Sequence, residues 1–140
     1  MDINAIGPVL VLALACAGAA IGCGIAGMAA HGVMSRVEEG HGKYLGMSAI
    51  PSSQAIYGFV LMILMDQSIK AGSLSAVSGI GIGACVGLAI LVSAIYQGLC
   101  AATGIQASAK DPSVFGMAIA TLGIIESFAL FAFVFSLLLL

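Results

Sequence analysis

Clusters of polar and charged residues cut this chain into four long apolar stretches, at residues 7–30, 44–65, 74–109 and 112–140. Each exceeds the roughly 20 residues that a helix needs to cross the hydrocarbon of a bilayer. The pattern predicts four transmembrane helices and an all-α integral membrane protein. Paired in order, they form two helical hairpins, residues 1–70 and 71–140. The third stretch is longer than a span requires, and its helical signal ends at Asp111-Pro112. There Asp111 is a natural N-cap and Pro112 a natural first helical residue of the fourth helix.

Composition agrees. The residues are 61% hydrophobic, only four are basic and six acidic, and the mean hydropathy is +1.21. So little polar surface cannot clothe a soluble globule. The net charge of -2 says nothing about nucleic acid, but no basic patch is present, so no nucleic acid is expected as a partner. The first stretch lacks a basic leader and starts Met-Asp-Ile-Asn, so it is expected to be retained rather than cleaved. Cys16, Cys23, Cys85 and Cys100 fall inside the spans with no Cys-x-x-Cys pair and read as compact apolar residues. His31 and His41, in or beside the first polar connection, read as solvated.

Every charge but one lies in a connection or at the terminus: Asp2, Arg36, Glu38, Glu39, Lys43, Asp66, Lys70, Lys110 and Asp111. Arg36, Lys43 and Lys110 share one side against Lys70 on the other, which places both termini away from the cytoplasm. The exception is Glu126, the only ionisable side chain between Pro112 and Leu140. A charge at mid-membrane costs from roughly 3 to more than 10 kcal/mol, so such a carboxylate points to ion or proton handling.

The chain is a tandem repeat. Gly27-Met-Ala-Ala-His-Gly-Val echoes Gly98-Leu-Cys-Ala-Ala-Thr-Gly-Ile, and Gly32 precedes Gln54 by the same interval that separates Gly104 from Glu126. Gln54 thus holds in the first hairpin the place of Glu126 in the second, leaving one ionisable site per four helices. The first and third helices carry small residues at every fourth position: Gly18, Gly22, Ala26 and Ala30 in one, Gly79, Gly83 and Gly87 in the other. That spacing lets helices approach closely in lipid. The second and fourth carry the bulk, with Tyr57, Phe59, Phe128, Phe131, Phe133 and Phe135. A wedge of this kind suits copies closing into a ring, although ordinary packing within one bundle also uses such stripes.

The candidate partners of Glu126 are Gln54 and Gln97, with Ser53 and Tyr57 on neighbouring turns of the second helix. Pro51 cannot donate to the carbonyl four residues earlier, and the kink it introduces frees backbone carbonyls where a buried site can use them. The set comprises one carboxylate, two amide oxygens, hydroxyls and a backbone carbonyl. Hard oxygen donors of this kind prefer a hard cation, and a single negative charge suits a monovalent one. A proton needs less, and glutamines can also simply join helices.

Gln54-Ala-Ile-Tyr57-Gly58-Phe59-Val60, the Gln97 to Ile105 segment and Ile125-Glu126-Ser-Phe-Ala-Leu-Phe resemble the duplicated proteolipid of V-type and A-type rotary ATPases, their subunit K or c-ring protein. The likeness covers nearly the whole chain. It implies a membrane rotor ring of identical copies, not catalytic by itself and without a cofactor. The ring would turn against a stator subunit that presents an arginine, coupled through a central stalk to an ATP-driven head. In sodium-carrying members the ligands would fall on Glu126, Gln54, Gln97, Ser53 and the Ile50 carbonyl, with Tyr57 hydrogen-bonded to the carboxylate. Ser53 stands where threonine is familiar, a less constrained hydroxyl. Na+ or H+ would be the cargo, and a bacterial or archaeal plasma membrane the setting. One glutamate per four helices lowers the ions carried per turn, which suits a pump and still allows synthesis. A small four-helix multidrug exporter is the rival, but it carries its acid in the first helix and lacks the repeat. A purely structural proteolipid is a third reading, and it makes Glu126 dispensable.

Overall fold

The structure, a computed structural model, describes residues 2–140. Helix α1 spans Ile3–Met34, and the Asp2 carboxylate caps it by accepting from the Asn4 amide. Gly40, at φ 79°, turns the chain into α2, His41–Ala49. A 3-10 turn, Ile50–Ser52, links α2 to α3, Ser53–Ala71. Gly72, also at φ 79°, ends α3, with Ser73 and Leu74 donating back to the Ser68 carbonyl. These two are the only left-handed residues among those described, and each sits in a tight turn where a Cβ would be strained.

Helix α4, Ala76–Lys110, opens on Ser75 as N-cap and runs for 35 residues. At about 1.5 Å per residue it is over 50 Å long, well beyond the roughly 30 Å of hydrocarbon. Asp111 then accepts from the Ser113 amide at 2.9 Å, and hydrogen bonds from Ser113 hold its carboxyl below the usual carboxylate range. As expected, Asp111 caps the fourth helical segment and Pro112 is its first residue; the opening turn, Pro112–Val114, is 3-10, and α5 proper is Phe115–Ser136. A proline in this opening turn withholds no bond the helix needs. With α2, its turn and α3 taken as one segment, four helical segments are long and apolar enough to cross a membrane. This is an all-α integral membrane protein.

Helices α1 and α4 form the most extensive contact in the fold. A Cβ on Gly7 would strike the Gly79 carbonyl, one on Gly22 the Ala94 carbonyl, and one on Gly98 the Gly22 backbone. Gly7 and Gly79, and likewise Gly22 and Ala94, are the same position in successive repeats. The two hairpins therefore lie parallel and in register. Backbones this close leave no room for side chains, so the stripe of small residues is a steric requirement of the pairing. Ala15, Ala26, Ala30, Ala94 and Ala101 are wholly buried.

Helix α3 lies against α1, and α5 against α4. The outer helices meet briefly, where Tyr57 stacks on Phe133 with centroids 5.9 Å apart. Phe59, Phe128, Phe131 and Phe135 point outward, each about half exposed or more. Pro51 is buried, and its Cβ lies 3.0 Å from the point a Cβ on Gly22 would occupy. The ring that forces the 3-10 turn thus packs against the small-residue face of α1, and the turn sets the start of α3 beside Glu126.

Candidate functional site

Glu126 lies near the middle of α5, half-buried and facing the start of α3. Its Oε1 accepts from the Ser53 hydroxyl at 2.5 Å and from the Tyr57 hydroxyl at 2.6 Å. Its Oε2 has one distant donor, Gln97 Nε2 at 3.5 Å. Ser53 is the first residue of α3, and its Oγ also lies 3.0 Å from the Ile50 carbonyl. One hydroxyl carries one hydrogen, and the shorter contact to a charged acceptor takes it. The 3-10 turn therefore sets the Ile50 carbonyl, the Ser53 hydroxyl and the carboxylate close together. An open groove of about 400 Å³ beside Glu126 is lined by Gly46, Ala49, Ile50, Ser52, Ser53 and Ile56. A larger cavity, about 520 Å³, lies at the far ends of α1 and α4 beside Arg36 and Lys110 and contains none of these groups.

Behind the carboxylate both glutamines are fully buried. Gln97 Nε2 donates to the Leu122 carbonyl at 3.1 Å, and Gln97 Oε1 accepts from Gln54 Nε2 at 3.0 Å. The second hydrogen of Gln54 Nε2 goes to Ser93 Oγ at 3.2 Å, and Ser93 donates to the Ile125 carbonyl at 2.9 Å. The network has one polarity. A carbonyl can only accept, so Leu122 fixes which way the Gln97 amide faces, and Gln97 in turn fixes Gln54. What is left over is Gln54 Oε1, buried with no donor.

Chemically the site is a cluster of oxygens short of positive charge. Leaving a buried carbonyl unpaired costs about 1–3 kcal/mol, and a half-buried carboxylate in lipid costs more. A cation bound at either oxygen would relieve it. Among the described residues no group of three or more His, Cys, Asp and Glu stands together, and the side chains that hydrogen-bond Glu126 are the neutral Ser53, Tyr57 and Gln97, so one negative charge stands against several neutral oxygens.

The structure brings Glu126, Ser53, Tyr57, Gln97, Gln54 and Ile50 to one place. Gln54 does not touch the carboxylate and reaches it through Gln97. Tyr57 bonds the carboxylate directly. Sequence reasoning passed over Ser93 and the carbonyls of Leu122 and Ile125. Ser93 had a signal, for it lies one helical turn before Gln97 on the same face of α4, whereas the two carbonyls carry no side-chain mark.

The model of the family described as the C subunit of ATP synthase matches this chain twice, at residues 6–65 and 80–139. The A-type ATP synthase subunit K of Methanocaldococcus jannaschii is 36% identical over 138 residues, covering 99% of this chain and 61% of that protein. The chain thus spans less than two thirds of that relative's length. The V-type sodium ATPase subunit K of Enterococcus hirae is 37% identical over 126 residues, 87% of this chain and 80% of that one. Both relatives are named as subunit K, of an A-type ATP synthase and of a V-type ATPase, and the first matched segment contains Gln54 and the second Glu126. With two in-register hairpins in the fold and two copies of the motif in the sequence, the chain belongs to the ATP synthase C-subunit family, in its duplicated form.

Proposed function

We propose that this chain is the ion-carrying rotor subunit of a V/A-type ATPase, and that it carries Na+ on Glu126, Gln54, Gln97, Ser53 and the Ile50 carbonyl. The observation behind this is the pair of underserved oxygens, Glu126 Oε2 and Gln54 Oε1, in a buried network that spends its donors elsewhere. The similarity to a subunit named for sodium supports the same choice. Tyr57 steadies Glu126 through Oε1 and leaves Oε2 for the ion.

With the ion bound, the carboxylate charge is balanced and the subunit faces lipid at tolerable cost. Beside an arginine of the stator the bare carboxylate is favoured and the ion leaves. Identical copies in a ring, with the α1–α4 glycine contact on the narrow side and outward aromatics on the wide side, pass ions in turn. A central stalk couples the turning to ATP hydrolysis or synthesis in the soluble head. Each elementary charge moved through the membrane exchanges about 2.3 kcal/mol per 100 mV. The setting is a prokaryotic plasma membrane.

The test is the rate at which a hydrophobic carbodiimide, which attacks a protonated carboxyl, labels Glu126 in the purified ring. Millimolar sodium should slow labelling while potassium does not, and less sodium should suffice as pH rises. A rate that sodium leaves unchanged at every pH would make the cargo a proton, with the glutamines as its hydrogen-bond partners.

A further inference from the structure

Ser93 belongs to none of the ligands just proposed. It is 7% exposed on α4, and its hydroxyl joins three helices by accepting from Gln54 of α3 and donating to the Ile125 carbonyl of α5. Because Ile125 can only accept, the single hydrogen of Ser93 is spent there and its lone pairs face Gln54. Gln97 Oε1 is likewise a pure acceptor. The Gln54 amide group therefore meets two acceptors that offer no hydrogen, and only one orientation satisfies both. That orientation leaves Oε1 as the free end.

We infer that Ser93 is a positioning residue that holds the Gln54 carbonyl ready for the cation, and so sets sodium affinity without contacting Glu126. The inference rests on the sodium reading above. With both amide hydrogens tethered, Gln54 Oε1 is held in place before the ion arrives, and little ordering is left for binding to impose. With one tether gone, the amide swings about its bond to Gln97, and a buried N–H is left unpaired. The proton form of the site needs neither. The hydroxyls of Ser53 and Tyr57 reach Glu126 independently of Ser93, so Ser93 discriminates sodium from proton rather than strengthening both.

The experiment is carbodiimide labelling of purified wild-type, Ser93→Ala and Ser93→Cys rings, titrated with sodium at fixed pH and followed across pH without it. The sodium needed for half-protection should rise about tenfold in Ser93→Ala, while the sodium-free pH profile stays where it is in wild type. Cysteine, close in size and a poor acceptor, should give a similar rise in a fully packed ring, and it provides the reading if the alanine ring does not assemble. In a Gln54→Leu background Ser93→Ala should add nothing further. Wild-type protection by sodium with unchanged protection in both Ser93 variants would overturn this inference and leave the sodium reading standing. A shift of the sodium-free profile as large as that of the sodium titration, or full additivity with Gln54→Leu, would also overturn it, by making Ser93 a general packing residue. A wild-type ring that sodium does not protect would instead overturn the sodium reading on which the inference depends.

Discussion

The two hairpins share a register and a motif, yet they handle the same position in opposite ways. Gln54 in the first is sealed from every surface and bonded only to α4. Its counterpart Glu126 in the second is half-buried, takes two hydroxyls from α3 and borders an open groove. A neutral amide can be locked into the core because both of its N–H hydrogens find acceptors there, although its oxygen stays unpaired. On the proposed function the carboxylate exchanges an ion, and for that it needs one side free. The duplication therefore does more than remove a charge, because it turns one copy of the site into scaffold for the other.

The comparison breaks most completely if the second hairpin is made like the first. Glu126→Gln should assemble into a normal ring, lose carbodiimide labelling entirely, and reduce ion transport in reconstituted vesicles to background. Transport at wild-type rate would return the chain to a structural role. Next in size is the shared α1–α4 contact. Gly22→Ala places a methyl against the Ala94 carbonyl, and overpacking of this kind costs about 1–3 kcal/mol. Folded yield and melting temperature should fall clearly, while Gly24→Ala, with open space at its Cβ, should change them far less.

Within the first hairpin, Gln54→Leu removes the donor to both Gln97 and Ser93 and the free carbonyl with it. Sodium half-protection should rise by at least about tenfold, in line with about 1–3 kcal/mol for buried partners left unpaired. Tyr57→Phe keeps the stack on Phe133 but withdraws one of two donors to Oε1, so the carboxyl is held less firmly and the sodium needed for half-protection should rise a few-fold. The smallest effect belongs to the last turns of α3 in the same hairpin. Lys70 bonds Asp66 at 2.6 Å with its own side chain largely exposed and that of Asp66 about half exposed, and Lys70→Ala should alter stability by no more than about 0.5 kcal/mol in a denaturant titration.

Particular residues show where legibility in the sequence stops. Glu126 was visible because a charge in an apolar run violates the preference of its surroundings. Gln54 was visible because the repeat aligns it with Glu126, and Ser53 and Tyr57 because they share its helix face. Ser93 is an ordinary small residue by composition, and one of many serines in the chain. Its importance lies in partners distant in sequence, on α3 and α5. The 3-10 form of the turns at Ile50–Ser52 and Pro112–Val114 escaped for a related reason: proline marks a break without saying which tighter helix fills it.

By itself the sequence determined the class, the four apolar segments, the duplication and the one carboxylate, because each follows from local hydropathy, spacing or internal identity. Only the tertiary structure decided that the hairpins lie parallel and in register. It also decided that the donors of Gln54 are consumed by Gln97 and Ser93, and that a carbonyl and a carboxylate oxygen are left short of hydrogen. Hydrogen-bond polarity is a property of a closed network. It depends on which acceptors from distant segments meet each amide, and no stretch of chain carries that information alone.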